Sequence, residues 1–97
     1  MTRPDSVRKI VRITGRPGST AALREALLAL EPPTRAEPGC RGFTFYQALG
    51  TPAVFLLHEH FDSPAALEAH MAQPYTQAFF GLGLVEATAV VAAQWEE

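Results

Sequence analysis

The sequence predicts an α+β fold, with a four-stranded antiparallel sheet carrying two helices on one face. Three observations lead there. Apolar or alternating runs recur at Val7–Thr14, Gly42–Leu49, Ala53–Phe61 and Leu84–Trp95, the pattern expected of strands. Helical spacing appears twice between them, after Ser19 and again over Ala65–Met71. Glycine and proline punctuate nearly every junction. The order strand–helix–strand–strand–helix–strand is that of a split βαβ unit, the ferredoxin-like arrangement.

Each element has its own warrant. In the first strand Val7, Val11 and Ile13 share one side, with Arg8, Ile10, Arg12 and Thr14 on the other. Neither side is wholly polar, so both are expected to be partly covered. Arg16, Pro17 and Gly18 form a turn, and Ser19 or Thr20 caps the helix that follows. Leu23, Leu27 and Leu30 make its apolar stripe, which fades at Pro32 and Pro33 or continues to about Arg35. Glu37 to Cys40 is a turn into the second strand, where Phe43, Phe45, Gln47 and Leu49 alternate with Thr44, Tyr46 and Ala48. Gly50 to Pro52 then closes a hairpin into the third strand, whose Val, Leu and Phe content suits burial on both faces. Ser63 and Pro64 read as N-cap and first helical residue, since serine accepts a backbone bond and proline lacks a hydrogen to satisfy. Gln73 and Pro74 break that helix and begin a short helical turn through Phe80. Gly81 to Gly83 lead into the last strand, with Trp95 as an edge or interface anchor.

Bulk composition narrows the function. Ninety-seven residues with 47% apolar content suit one globular domain, not a disordered chain. A domain this small buries only roughly 60–65% of its unfolded surface, so covering the second sheet face with another copy would help. All eight Lys and Arg lie before Gly42, giving +4 (8 minus 4) up to Arg41 and −6 beyond. Basic residues are not gathered with aromatics on one face, so nucleic-acid binding is not expected. No run reaches the ~20 apolar residues of a membrane span, and no secretory leader is evident. The lone Cys40 fits a reducing cytoplasm. Nothing near it in sequence would activate it as a nucleophile.

Chemistry concentrates on the third strand and second helix. Leu67, His70 and Met71 share a helical face. His70 is either a general base or donor facing a cavity, or a packed histidine bonded to a strand group such as Glu59. Glu59 interrupts an apolar strand, and a buried carboxylate must be paired. Arg12 and His70 are its candidate partners, and a base, an orienting group and a structural ion pair are its candidate roles. Alternation sets Glu59 and Phe61 on one face and His58 and His60 on the other, toward a partner subunit. His58 and His60 lack a third ligand, so no metal site is expected. Tyr46 and Tyr75 either bond a substrate oxygen or pack at a cavity mouth, and Phe79 joins the remaining phenylalanines as core or cavity wall.

The Arg16–Gly18 turn, Glu37–Cys40, Glu59–Ser63, Ala66–His70, Gln73–Tyr75 and the pair Phe79 and Phe80 together resemble the antibiotic biosynthesis monooxygenase family over about Val7–Trp95. That resemblance implies a homodimeric α+β barrel with a cavity in each subunit. It further implies a monooxygenase that acts on a small aromatic, of quinol or polyketide type, using O2 without metal, flavin or haem. It nominates His70 and Glu59 as catalytic, and Phe61, Tyr46, Tyr75, Val11, Met71 and Phe79 as substrate-binding. The family's strand signature carries Trp where Phe61 stands. Its haem-degrading branch needs an Asn near Val11, and this chain has no Asn. A non-catalytic small-molecule binding or sensing module, and an isomerase or decarboxylase, are the alternatives on the same fold.

Overall fold

The computed structural model describes residues 5–94. Strand β1 (Val7–Gly15) leads into helix α1 (Thr20–Arg35), and a turn leads to the hairpin β2 (Cys40–Gln47) and β3 (Val54–Phe61). Helices α2 (Pro64–Met71) and α3 (Pro74–Gly81) precede β4 (Val85–Ala93). The sheet order is β2-β3-β1-β4, antiparallel throughout, which is the ferredoxin-like topology. Trp95 lies outside the described residues.

One boundary left open by the sequence is decided, and two others differ from expectation. Helix α1 passes through Pro32 and Pro33 to Arg35; so close to its end, each proline removes a donor without a long stretch of helix beyond it to disrupt. The segment after Gln73 forms a full helix rather than a single turn, so the helical layer has three members. Strand β2 starts and stops two residues earlier than its alternation indicated. Two N-caps were anticipated. Ser63 accepts from the Ala66 amide at 3.1 Å, whereas the Ser19 hydroxyl makes no such bond.

Register decides which side chains meet. Lys9, Glu59 and Phe43 stand in one row across β1, β3 and β2, and Val11, Leu57 and Phe45 in the next. These rows, with Ile13 and Phe55, face the helices. Leu23, Leu27 and Leu30 of α1 pack on them, joined by Phe61 and Phe79, to make the core. Ile10, Tyr46, Leu56 and His58 line a shallow depression elsewhere, on the outer face that alternation dictates. The edge strand β2 is shielded by α1: Glu31 accepts from the Phe45 amide at 2.8 Å, and Arg35 Nε donates to the Phe43 carbonyl at 2.9 Å. Charged side chains on the edge thereby occupy backbone groups that another strand could otherwise pair with.

Candidate active site

Between sheet and helices lies a cavity of about 340 Å³. Its lining is apolar on most sides, from Val11, Leu57, Leu67 and Phe79 among others, and half-exposed Met71 and Phe80 stand at its open side. Lys9, Glu59, His70, Thr76 and Thr88 are its polar members. A concave apolar pocket with few polar groups is the usual form of a small-molecule site.

Local structure delivers His70. Pro64 and the Ser63 cap start α2 immediately after β3, and His70 falls on its inner face. It is the one side chain of α2 that is fully buried, so this helix docks largely through an imidazole. Phe61 stacks at 30° with its centroid 5.2 Å from the ring, and Phe43 tilts against it at the same separation. His70 Nδ1 lies 3.0 Å from Oε2 of Glu37, in the turn after α1. That same oxygen also accepts from the Tyr75 hydroxyl of α3, which stands 3.3 Å from the Pro33 carbonyl as well. Burial first, then the Glu37 bond, push the Tyr75 phenol up to about 12, so it stays a donor across the physiological range.

Glu59 is only 7% exposed. Burial raises its carboxyl above the ordinary value, and the opposing charges of Lys9 and His70 pull it partly back. Among the described residues no hydrogen bond reaches that carboxylate. Its strand neighbour is Lys9, directly opposite on β1; Arg12, the partner proposed from sequence, instead opposes Leu56. His70 is likewise bonded to Glu37, not to Glu59.

The nominated residues therefore separate. Glu59, His70, Val11, Met71 and Phe79 line the cavity. Phe61 is 0% exposed and backs the imidazole from beneath, in the core. Tyr75 is turned to Glu37 and the end of α1. Tyr46 stands 57% exposed, bordering the outer-face depression with Leu56 and not the cavity. Alternation already set Tyr46 opposite Phe43 and Phe45, so this placement was readable. Glu37 and Lys9 went unnominated. Lys9 shares the parity of Val11 and Ile13, a signal that was present; Glu37 sits in a turn, where no periodicity reveals direction. Burial raises the Cys40 thiol above its ordinary value, which disfavours the nucleophilic thiolate. Among the described residues no cluster of metal-ligating side chains forms.

Fold and pocket together define a ferredoxin-like α+β protein with a largely apolar cavity between its sheet and its helices. Residues 6–82 match the antibiotic biosynthesis monooxygenase family, and the chain belongs to that family. Rv0793 of Mycobacterium tuberculosis, provisionally named a monooxygenase, is 39% identical over 75 residues, covering 77% of this chain and 71% of that protein. Its solved structure matches with a TM-score of 0.80, at 32% identity over 95% of this chain and 98% of that one. PA3566 from Pseudomonas aeruginosa matches with a TM-score of 0.86, at 27% identity over 96% and 95% of the two chains.

Proposed function

We propose that this protein is a cofactor-independent monooxygenase for a small, electron-rich aromatic such as a dihydroxybenzene or phenolic polyketide. The observation that supports it most is the buried imidazole of His70 lining a mostly apolar cavity. A base positioned in a dry pocket can take a phenolic proton, and general-base assistance of this kind contributes roughly 10²–10⁴-fold. The phenolate then passes an electron to O2, and the two radicals combine to form a carbon–oxygen bond. Loss of water from the resulting hydroperoxide leaves a hydroxyquinone. Dihydroxybenzene and O2 thus balance against hydroxyquinone and water, with every electron supplied by the substrate. The chain's own contribution is to bind, orient and deprotonate, with water kept away by the aromatic and aliphatic lining.

A homodimer belongs to this reading. Tyr46 and Leu56 leave apolar surface on the outer sheet face, and a second copy would cover it with matching surface.

The test is an oxygen electrode with purified protein and a panel of dihydroxyaromatics, with 18O2 label followed into product by mass spectrometry. Uptake with one labelled oxygen retained is expected. Absence of uptake across ligands that demonstrably bind would reject the monooxygenase. It would favour a second reading, a non-catalytic binding module. Phe61 favours that module, since it offers no N–H and is wholly covered.

A further inference from the structure

Glu37 is a buried carboxylate on a turn, and among the described residues no Lys or Arg forms an ion pair with it. Its Oε2 takes two donors, the Tyr75 hydroxyl and His70 Nδ1. A carboxylate accepts and cannot donate, so Nδ1 carries its hydrogen in both the neutral and the protonated ring. In the neutral ring the lone pair then belongs to Nε2. Among the described residues Nε2 has no hydrogen-bond partner, and the buried ring lines the cavity. Phe61 and Phe43 flank the ring at 5.2 Å, which hinders the rotation that would exchange the two nitrogens. Glu59 also acts on the ring through space, with no hydrogen bond between them.

We propose that Glu37 is a positioning residue for His70, holding the proton on Nδ1 so that the Nε2 lone pair faces the cavity and receives the substrate's proton. The part concerning proton transfer rests on the monooxygenase reading; the part concerning the tautomer does not. When Nε2 takes the phenolic proton, the ring becomes a cation in apolar surroundings, a costly state unless an anion adjoins it. Glu37 is that anion. The proton returns to oxygen as water leaves, and the ring reverts to its neutral form with Nδ1–H still bonded. The logic is that of a base oriented by a carboxylate behind it. Tyr75 and the Pro33 carbonyl in turn fix the carboxylate from α3 and α1.

The tautomer is directly visible. Long-range 1H–15N correlation of protein labelled at histidine, above the titration of the ring, separates Nδ1–H from Nε2–H, and His70→Ala assigns the signals. His70 is expected as the Nδ1–H form, opposite to the preference of free imidazole side chains in water. A wild-type spectrum showing Nε2–H at His70 overturns the proposal, even if no variant folds. Glu37→Ala is expected to abolish the Nδ1–H preference, and its persistence would count equally against Glu37. Tyr75→Phe, which leaves the carboxylate in place, should keep the Nδ1–H form; its loss there would transfer the role to Tyr75. With an active substrate, Glu37→Ala should lower kcat by on the order of tenfold or more with KM within about twofold. If His70→Ala turns over normally, the monooxygenase reading of the site fails while the tautomer result stands by itself.

Discussion

At the scale of single residues, His70 and Glu59 share a cavity but are held by different physics. His70 is anchored by a hydrogen bond and two rings, whereas Glu59 has only the through-space pull of Lys9 and His70 to offset its burial. Replacing His70 with Ala should reduce turnover at least tenfold, read as O2 uptake well below the variant's unfolding midpoint. Unchanged uptake would remove His70 from the chemistry. For Glu59 the sign of the stability effect follows from its raised carboxyl. The folded state binds the proton more tightly than the unfolded one, so stability declines as pH rises from the ordinary glutamate value through the raised one. Glu59→Gln removes that decline. Denaturant titrations should find the variant more stable than wild type at neutral pH, with the difference vanishing at pH well under the ordinary value of 4.5. A variant less stable at neutral pH would mean that the attraction of Lys9 outweighs burial.

At the scale of elements, α2 is the piece on which the site depends, and its docking is unusually polar. Little apolar surface holds it, apart from Ala66 and Leu67 against the core. The close approach of the preceding turn compensates. A Cβ added to Gly39 would fall well inside contact distance of the Ala66 Cβ, and the Gly39 carbonyl accepts from the Asp62 amide at 2.8 Å. Gly39→Ala must therefore push α2 away from the turn that carries Glu37. We expect a loss of roughly 1–3 kcal/mol in urea unfolding, the range for overpacking, and a loosened His70–Glu37 bond visible in the imidazole spectrum. Wild-type stability in that variant would show that the helix moves freely. The Ser63 cap is a smaller lever: Ser63→Ala should cost about 1 kcal/mol, with chemical denaturation as the measure and no loss as the contrary result.

At the scale of the whole molecule, the strand order and both sheet faces were legible because side-chain alternation is a local rule. Val11 and Ile13, or Glu59 and Phe61 against His58 and His60, needed only parity. That His70 shares a helical face with Leu67 and Met71 was legible for the same reason, through three- and four-residue spacing. What could not be read was the partner of that histidine. Glu37 and His70 are 33 residues apart, joined by a turn whose path depends on how tightly Gly39 meets α2, and no periodicity encodes a packing distance. Tyr75 was open between roles for a like reason, since its hydroxyl finds its acceptor only when α3 lies against the end of α1. The outer face makes a further prediction. Scattering in dilute solution should return about twice the 10.5 kDa chain mass, and Leu56→Glu, which sets a charge on that face, should halve it. A monomeric wild type would remove the dimer from the reading.

Three segments meet at one Glu37 oxygen, namely the turn that carries it, α2 and α3, and the end of α1 joins them through the tyrosine hydroxyl. The helical layer is thus riveted at the same spot that holds the imidazole. Local breathing that frees one helix would slacken the others, so amide hydrogen exchange should find α2 and α3 opening as a unit. Under the proposed mechanism, a protein arranged in this way has no partly working form; the imidazole is aligned whenever the layer is closed, and lost whenever it lifts.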